Sequence, residues 1–239
     1  MISEHRFVSS FSSFWRELLP TGDAYIRNQN LQLQRFETPL DSSLPPERRS
    51  FVNELAFRLL SLVNAPNGKP LTDLSKSAIE KAVCETVSYI GRFPQPLEKK
   101  VSVPTEDEIR EALLLAKRLS SFLQSHMDKG EELTFFPKFR GCGLIEECEG
   151  DVLAGSTLYE VKSGDRKFRL IDVKQLLVYC ALNYVNPMYN VDRVTLLNPR
   201  VGVFLSQPLE VLARGVAGVS ASELCSDLID FISLTIPSR

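Results

Sequence analysis

Residues 150–179 read GDVLAGSTLYEVKSGDRKFRLIDVKQLLVY, and this stretch decides the fold. Two short apolar runs, Val152-Leu153 and Leu158–Lys162, flank Ala154-Gly155-Ser156-Thr157. A Gly-Ser turn between apolar runs predicts a β-hairpin. Side chains alternate along a strand, so Glu160 and Lys162 share one face while Tyr159 and Val161 point the other way, into the core. Asp172–Asn183 then takes helical spacing, with Gln175 and Tyr179 four apart on one face. Hairpin followed by helix predicts an α/β fold.

Asp151 stands at the head of the first strand, where hairpin pairing brings it near Glu160. Two carboxylates beside a lysine are hard donors that suit Mg²⁺ or Mn²⁺ better than zinc. Such an ion lowers the pKa of a bound water and stabilises charge on a phosphoryl oxygen. Lys162 would orient or deprotonate that water, or offset developing phosphate charge. Arg166, Lys167 and Arg169 form a basic segment between strand and helix that suits phosphate contact. Each group also has a plainer reading. Asp151 beside Gly150 fits a turn, Glu160 and Lys162 fit an exposed strand pair, and the basic segment fits a solvated loop. Asp172 and Gln175 have N-cap and N3 spacing, so Gln175 has a second reading as a helix-capping partner.

Gly150-Asp151, then Leu158–Gly164, then Gln175–Tyr179 resemble the motifs of the PD-(D/E)XK nuclease superfamily, and the Gln-x-x-x-Tyr helix is similar to its RecB-like branch. Gly150 stands where many members carry proline. The resemblance implies a restriction-endonuclease-like αβββαβ core. It implies that Asp151, Glu160 and the Val161 carbonyl hold Mg²⁺ (or Mn²⁺), that Lys162 is the catalytic lysine, and that Gln175 and Tyr179 support the site or contact substrate. It also implies a glutamate from a core helix, for which Glu54, Glu108 and Glu111 are candidates. The expected catalytic set is therefore Asp151, Glu160, Lys162 and Gln175, with Tyr179, Lys167 and Arg169 toward substrate.

Upstream, the sequence predicts a mostly helical region, residues 1–103, packed on a core of residues 104–239. Phe11, Phe14, Trp15 and Leu18 predict one helix over 7–19, ended by Pro20-Thr21-Gly22. Residues 22–45 show little periodicity and read as loop. Pro46 opens a helix over 47–63, the stretch 64–70 is turn-rich, and a further helix over 75–93 is stopped by Pro94 and Pro96. Thr105 and Glu108 fit a capping box at the head of a third long helix. Downstream, Arg193–Leu197 and Val201–Leu205 read as strands around an Asn198-Pro199-Arg200 turn, where Arg200 either stabilises the turn or reaches a phosphate. Ser220 and Glu223 cap a last helix, 221–234.

The 239 residues are 44% hydrophobic and 24% charged, an ordinary globular composition. With 28 basic and 30 acidic residues the net charge is −2, which excludes bulk-charge coating of nucleic acid. Five scattered cysteines and two histidines offer no disulfide framework or structural zinc set. No signal peptide and no apolar run of roughly 20 residues is visible, so the sequence predicts a cytoplasmic protein away from membranes. The expected function is Mg²⁺-dependent hydrolysis of DNA phosphodiester bonds, with RNA open to the same chemistry. The chain shows no separate DNA-binding motif and no P-loop, so partner subunits are expected to deliver substrate or regulate activity. By association with similar nucleases, an effector role in bacterial anti-phage or anti-plasmid defence is expected. The alternative is a non-catalytic, nuclease-like scaffold.

Overall fold

The computed structural model of the chain describes residues 1–64, 70–91, 103–127 and 130–234. Its first helices are α1 (Glu4–Ser9) and α2 (Ser12–Leu18). They replace the single helix predicted over 7–19. Phe11 adopts φ 54, in the left-handed region, and breaks the run. The break lets Phe7, Phe11 and Phe14 all pack against Phe231, with Phe14 stacked at 3.7 Å, so tertiary packing overrides helical continuity. Residues 22–45 are also corrected: they contain α3 (Gly22–Gln29) and β1 (Gln34–Arg35).

A 3₁₀ turn, Pro46–Arg48, leads into α4 (Arg49–Val63). After a second 3₁₀ turn, Leu71–Asp73, comes α5 (Lys76–Ile90). Most of the turn expected at 64–70, and the Pro94 and Pro96 stops, lie outside the described residues. Helix α6 (Glu106–His126) opens with the expected capping box: the Thr105 hydroxyl accepts the Glu108 N–H, and Glu108 Oε2 accepts the Thr105 N–H at 2.8 Å. Then follow β2 (Leu133–Phe135), β3 (Lys138–Phe139), β4 (Cys148–Glu149), β5 (Val152–Ala154), β6 (Thr157–Val161) and α7 (Leu170–Val185). The chain continues through β7 (Arg193–Asn198), β8 (Val203–Pro208), α8 (Leu209–Ala217) and α9 (Ala221–Leu234). Helix α8 falls outside the elements that the sequence predicts.

The main sheet is mixed, in the order β1-β8-β7-β6-β5-β2, and β3 and β4 form a separate ribbon. Strands β2, β5 and β6 run antiparallel, whereas β6 and β7 are parallel. A parallel pair needs a crossover, and α7 supplies it. Strand alternation sorts the two cores. Leu153, Leu158, Val194 and Leu196 join one cluster with α1, α2, α3, α7, α8 and α9. Val152, Ala154, Tyr159 and Leu197 join a second with α4, α5 and α6. The result is a mixed α/β architecture with helices on both faces of the sheet.

Candidate active site

The β5–β6 hairpin pairs Val152 with Tyr159, which brings the residues just outside that pair, Asp151 and Glu160, to the same end of the hairpin. Asp151 Oδ2 accepts the Val161 N–H at 2.6 Å. Glu160 is only 3% exposed. Its Oε1 accepts from Lys162 Nζ at 2.5 Å, while its Oε2 is buried without a hydrogen-bond partner. An unpaired buried carboxylate oxygen is costly, so this atom is the one group of the set left unsatisfied by the protein's own side chains.

Lys162 Nζ donates a second bond to Gln175 Oε1 at 2.8 Å, and Gln175 Nε2 donates to the Tyr179 hydroxyl at 2.8 Å. Tyr179 is held by stacking on Phe139 at 5.2 Å. The capping reading of Gln175 is overturned. Helix α7 starts earlier than predicted, Arg169 is its N-cap, and Asp172 at N3 accepts the Arg169 N–H at 2.8 Å. Gln175 is thereby free to orient Lys162.

Burial raises the Asp151 carboxyl well above the usual carboxylate range, and Glu160 pushes it further; Lys162 and the Val161 N–H pull the other way. For Lys162, burial favours the neutral amine, but the fields of Glu160 and Asp151 and the bond to Glu160 outweigh it and raise the pKa. Lys162 is therefore a cation here, poised to donate rather than to take a proton.

Asp151, Val161 and Lys162 line a cleft of about 830 Å³, whose other walls include Glu54, Arg58 and Arg166. Among the three candidate glutamates, the fold places only Glu54 there. Glu108 caps α6 and pairs with Arg48, and Glu111 pairs with the buried Arg200 at 2.6 Å. Burial raises the Glu54 carboxyl, and Arg58, 2.7 Å away, opposes the shift. The substrate-facing set also changes. Tyr179 is 1% exposed behind Gln175, Lys167 and Arg169 are exposed, and none of the three lines the cleft. Arg166 does, with its guanidinium held by both oxygens of Asp172 at 2.7 Å. Arg200 is 1% exposed, so its phosphate reading is also withdrawn.

The glycine preceding Asp151 has a structural cause. Gly150 N–H donates to the Pro137 carbonyl at 2.9 Å, and a Cβ there would meet the Phe139 ring at 3.2 Å. Proline would lose the bond and crowd the ring. Next to this corner, Phe136 donates its N–H to the Asp151 carbonyl at 3.0 Å while held at φ 53, a strained backbone beside the site. Arg58 stands over the rings of Tyr89 and Phe136 at 5.0 and 6.0 Å. Sequence reasoning missed Arg58, because nothing local announces that α4 will face β6.

Compared with known protein families and with characterised proteins, the sequence matches none. Among the described residues, no group of three or more histidine, cysteine, aspartate or glutamate side chains is arranged to hold a metal, and no helix is long and apolar enough to cross a membrane.

Proposed function

We propose that this chain is a divalent-metal-dependent phosphodiesterase of the PD-(D/E)XK nuclease type, acting on DNA. The observation that carries the reading is the unpartnered Glu160 Oε2, buried beside Lys162 and behind the cleft wall that Asp151, Val161 and Lys162 form. The order α6, antiparallel β2, β5 and β6, α7, then parallel β7 supports a restriction-endonuclease-like αβββαβ core. The chemistry of the donors fits the ion: two carboxylates and the Val161 carbonyl are hard oxygens, and Mg²⁺ commonly takes one or two protein carboxylates and keeps several waters. Asp151, Glu160 and Val161 would hold Mg²⁺ or Mn²⁺, with Glu54 as the further acid facing the cleft. When bound, the ion supplies Lewis acidity and a water of lowered pKa.

The chain's own side chains do the rest. Lys162, fixed between Glu160 and Gln175, offers a cation to the charge developing on the scissile phosphate. Tyr179 holds Gln175 in register. Arg166 presents a guanidinium to the phosphate backbone, oriented by Asp172. Because the net charge is −2, tight binding of a polyanion calls for a partner subunit, which agrees with an effector role in a bacterial defence complex.

The test is cleavage of plasmid, linear and single-stranded DNA, with RNA alongside, in Mg²⁺ and in chelator. Lys162→Ala and Glu160→Gln are each expected to lower the Mg²⁺-dependent rate by about 10²–10⁴-fold while circular dichroism shows a retained fold. Wild-type rates in both variants, or no metal-dependent cleavage by the wild type on any substrate, would sink the enzyme reading and leave the scaffold.

A further inference from the structure

The four residues after Lys162, Ser163-Gly164-Asp165-Arg166, belong to no helix or strand, yet Ser163, Gly164 and Arg166 line the cleft. Their carbonyls are held from outside the loop. Arg200 Nε donates to the Ser163 carbonyl at 3.0 Å, and Asn53 Nδ2 donates to the same oxygen at 2.9 Å. Asn198 Nδ2 donates to the Gly164 carbonyl at 2.7 Å and the Arg166 carbonyl at 3.3 Å. Asp165 pairs with Arg49 of α4.

Arg200 is the hub of this set. Besides Ser163 it reaches Glu111 of α6 through Nη1 at 2.6 Å and Asn53 of α4 through Nη2 at 2.9 Å. Its backbone N–H donates to Asn198 Oδ1 at 3.0 Å, which fixes the amide that holds the loop. One guanidinium thus ties α4, α6 and the β7–β8 turn to the backbone next to Lys162. A buried ion pair is a poor way to gain stability, since apolar residues of similar volume often do as well. What a planar fork with donors on three sides supplies is defined geometry.

Building on the nuclease reading, we propose that Arg200 is a positioning residue: through Ser163, Asn53 and Asn198 it sets the Ser163–Arg166 loop so that Lys162 and Arg166 meet the same substrate phosphate. It touches no substrate itself. Supporting groups of this kind hold a reacting constellation to within a fraction of an ångström.

Arg200→Gln would remove the cation from the half-buried Glu111, leaving it the Ser42 hydroxyl, and is expected to compromise folding, so Arg200→Lys and Asn53→Ala carry the test. Lysine keeps a charge opposite Glu111 but cannot form the fork; alanine at half-buried Asn53 removes one tie to Ser163 and one to Arg200. Both variants are expected to melt cooperatively, to lower kcat by about 10–100-fold with KM little changed, and to speed amide hydrogen exchange across 162–168 relative to β7. Cooperatively folded variants with unchanged exchange in this segment overturn the proposal, as does loosened exchange with wild-type kcat. If the wild type cleaves nothing, the nuclease reading falls, and the positioning claim falls with it, while exchange still reports whether Arg200 orders the loop.

Discussion

Asp151 is the residue on which charge and stability meet. Its carboxyl is raised, first by burial and then by Glu160. A folded-state pKa above the unfolded value means that the native state binds the proton more tightly. The stabilisation is therefore fully present below the unfolded pKa, about 3.9, and is lost as pH rises through the higher folded value. Above that folded value the ionised carboxylate costs stability that a bound cation would restore. Asp151→Asn keeps an oxygen for the Val161 N–H and removes the charge. In chelator, at a pH high enough to ionise Asp151, it is expected to gain about 1 kcal/mol, seen as a rise in Tm of about 2–4 °C, while abolishing cleavage. Mg²⁺ should raise the Tm of the wild type but not of Asp151→Asn, because only a state that binds ligand is stabilised by it. Equal Mg²⁺ shifts in the two proteins, measured by calorimetry, would refute a cation site at Asp151.

At the scale of elements, the corner between β4 and β5 decides how Asp151 is presented. Gly150 ties back to Pro137 and leaves room for Phe139, which in turn stacks on Tyr179 of α7. Gly150→Pro is therefore expected to cost about 1–3 kcal/mol by losing a hydrogen bond and crowding the core, read as a lower denaturation midpoint. Thr105→Ala acts at a distance from the chemistry. Removing the N-cap of α6 should cost about 1 kcal/mol with kcat unchanged, because Glu108 and Thr105 serve the helix and not the cleft. A kcat loss in Thr105→Ala out of proportion to its stability loss would show that α6 contributes more to the site than packing.

Over the whole molecule, the described residues of 1–103 are woven into the rest. Strand β1 extends the sheet through β8, α1, α2 and α3 bury Phe7, Trp15 and Ile26 in the cluster around α7, and α4 buries Phe51, Leu55 and Leu59 against the cluster around α6. A fragment of residues 104–239 would expose the α4-facing side of Leu115, Val152 and Tyr159 to water. It is expected to aggregate or to lack a cooperative thermal transition; a sharp melt of the isolated fragment would contradict this account. The same interleaving explains why Glu54, Arg58 and Asn53 of the N-terminal region stand in the wall of the cleft.

Much of the site was legible because it is local. Period-two alternation places Glu160 and Lys162 together, the Gly155-Ser156 turn folds the hairpin that brings Asp151 to them, and helical spacing aligns Gln175 with Tyr179. The hairpin, α7 and the Thr105 capping box follow from interactions within a few residues, where side-chain period and capping chemistry act with little help from distant chain. The break at Phe11, the helix at 22–29, the release of Gln175 from capping, the choice of Glu54 over Glu108 and Glu111, and the burial of Arg200 depend on contacts between segments far apart in sequence. Aromatic packing on Phe231, the ion pairs of Arg48 and Arg200, and the face that α4 turns to β6 exist only once the sheet and its two helical layers have closed. The sequence by itself determined that Asp151, Glu160 and Lys162 come together; the tertiary structure decided which acid, which arginine and which loop stand beside them, because those positions are set by long-range burial and not by local period.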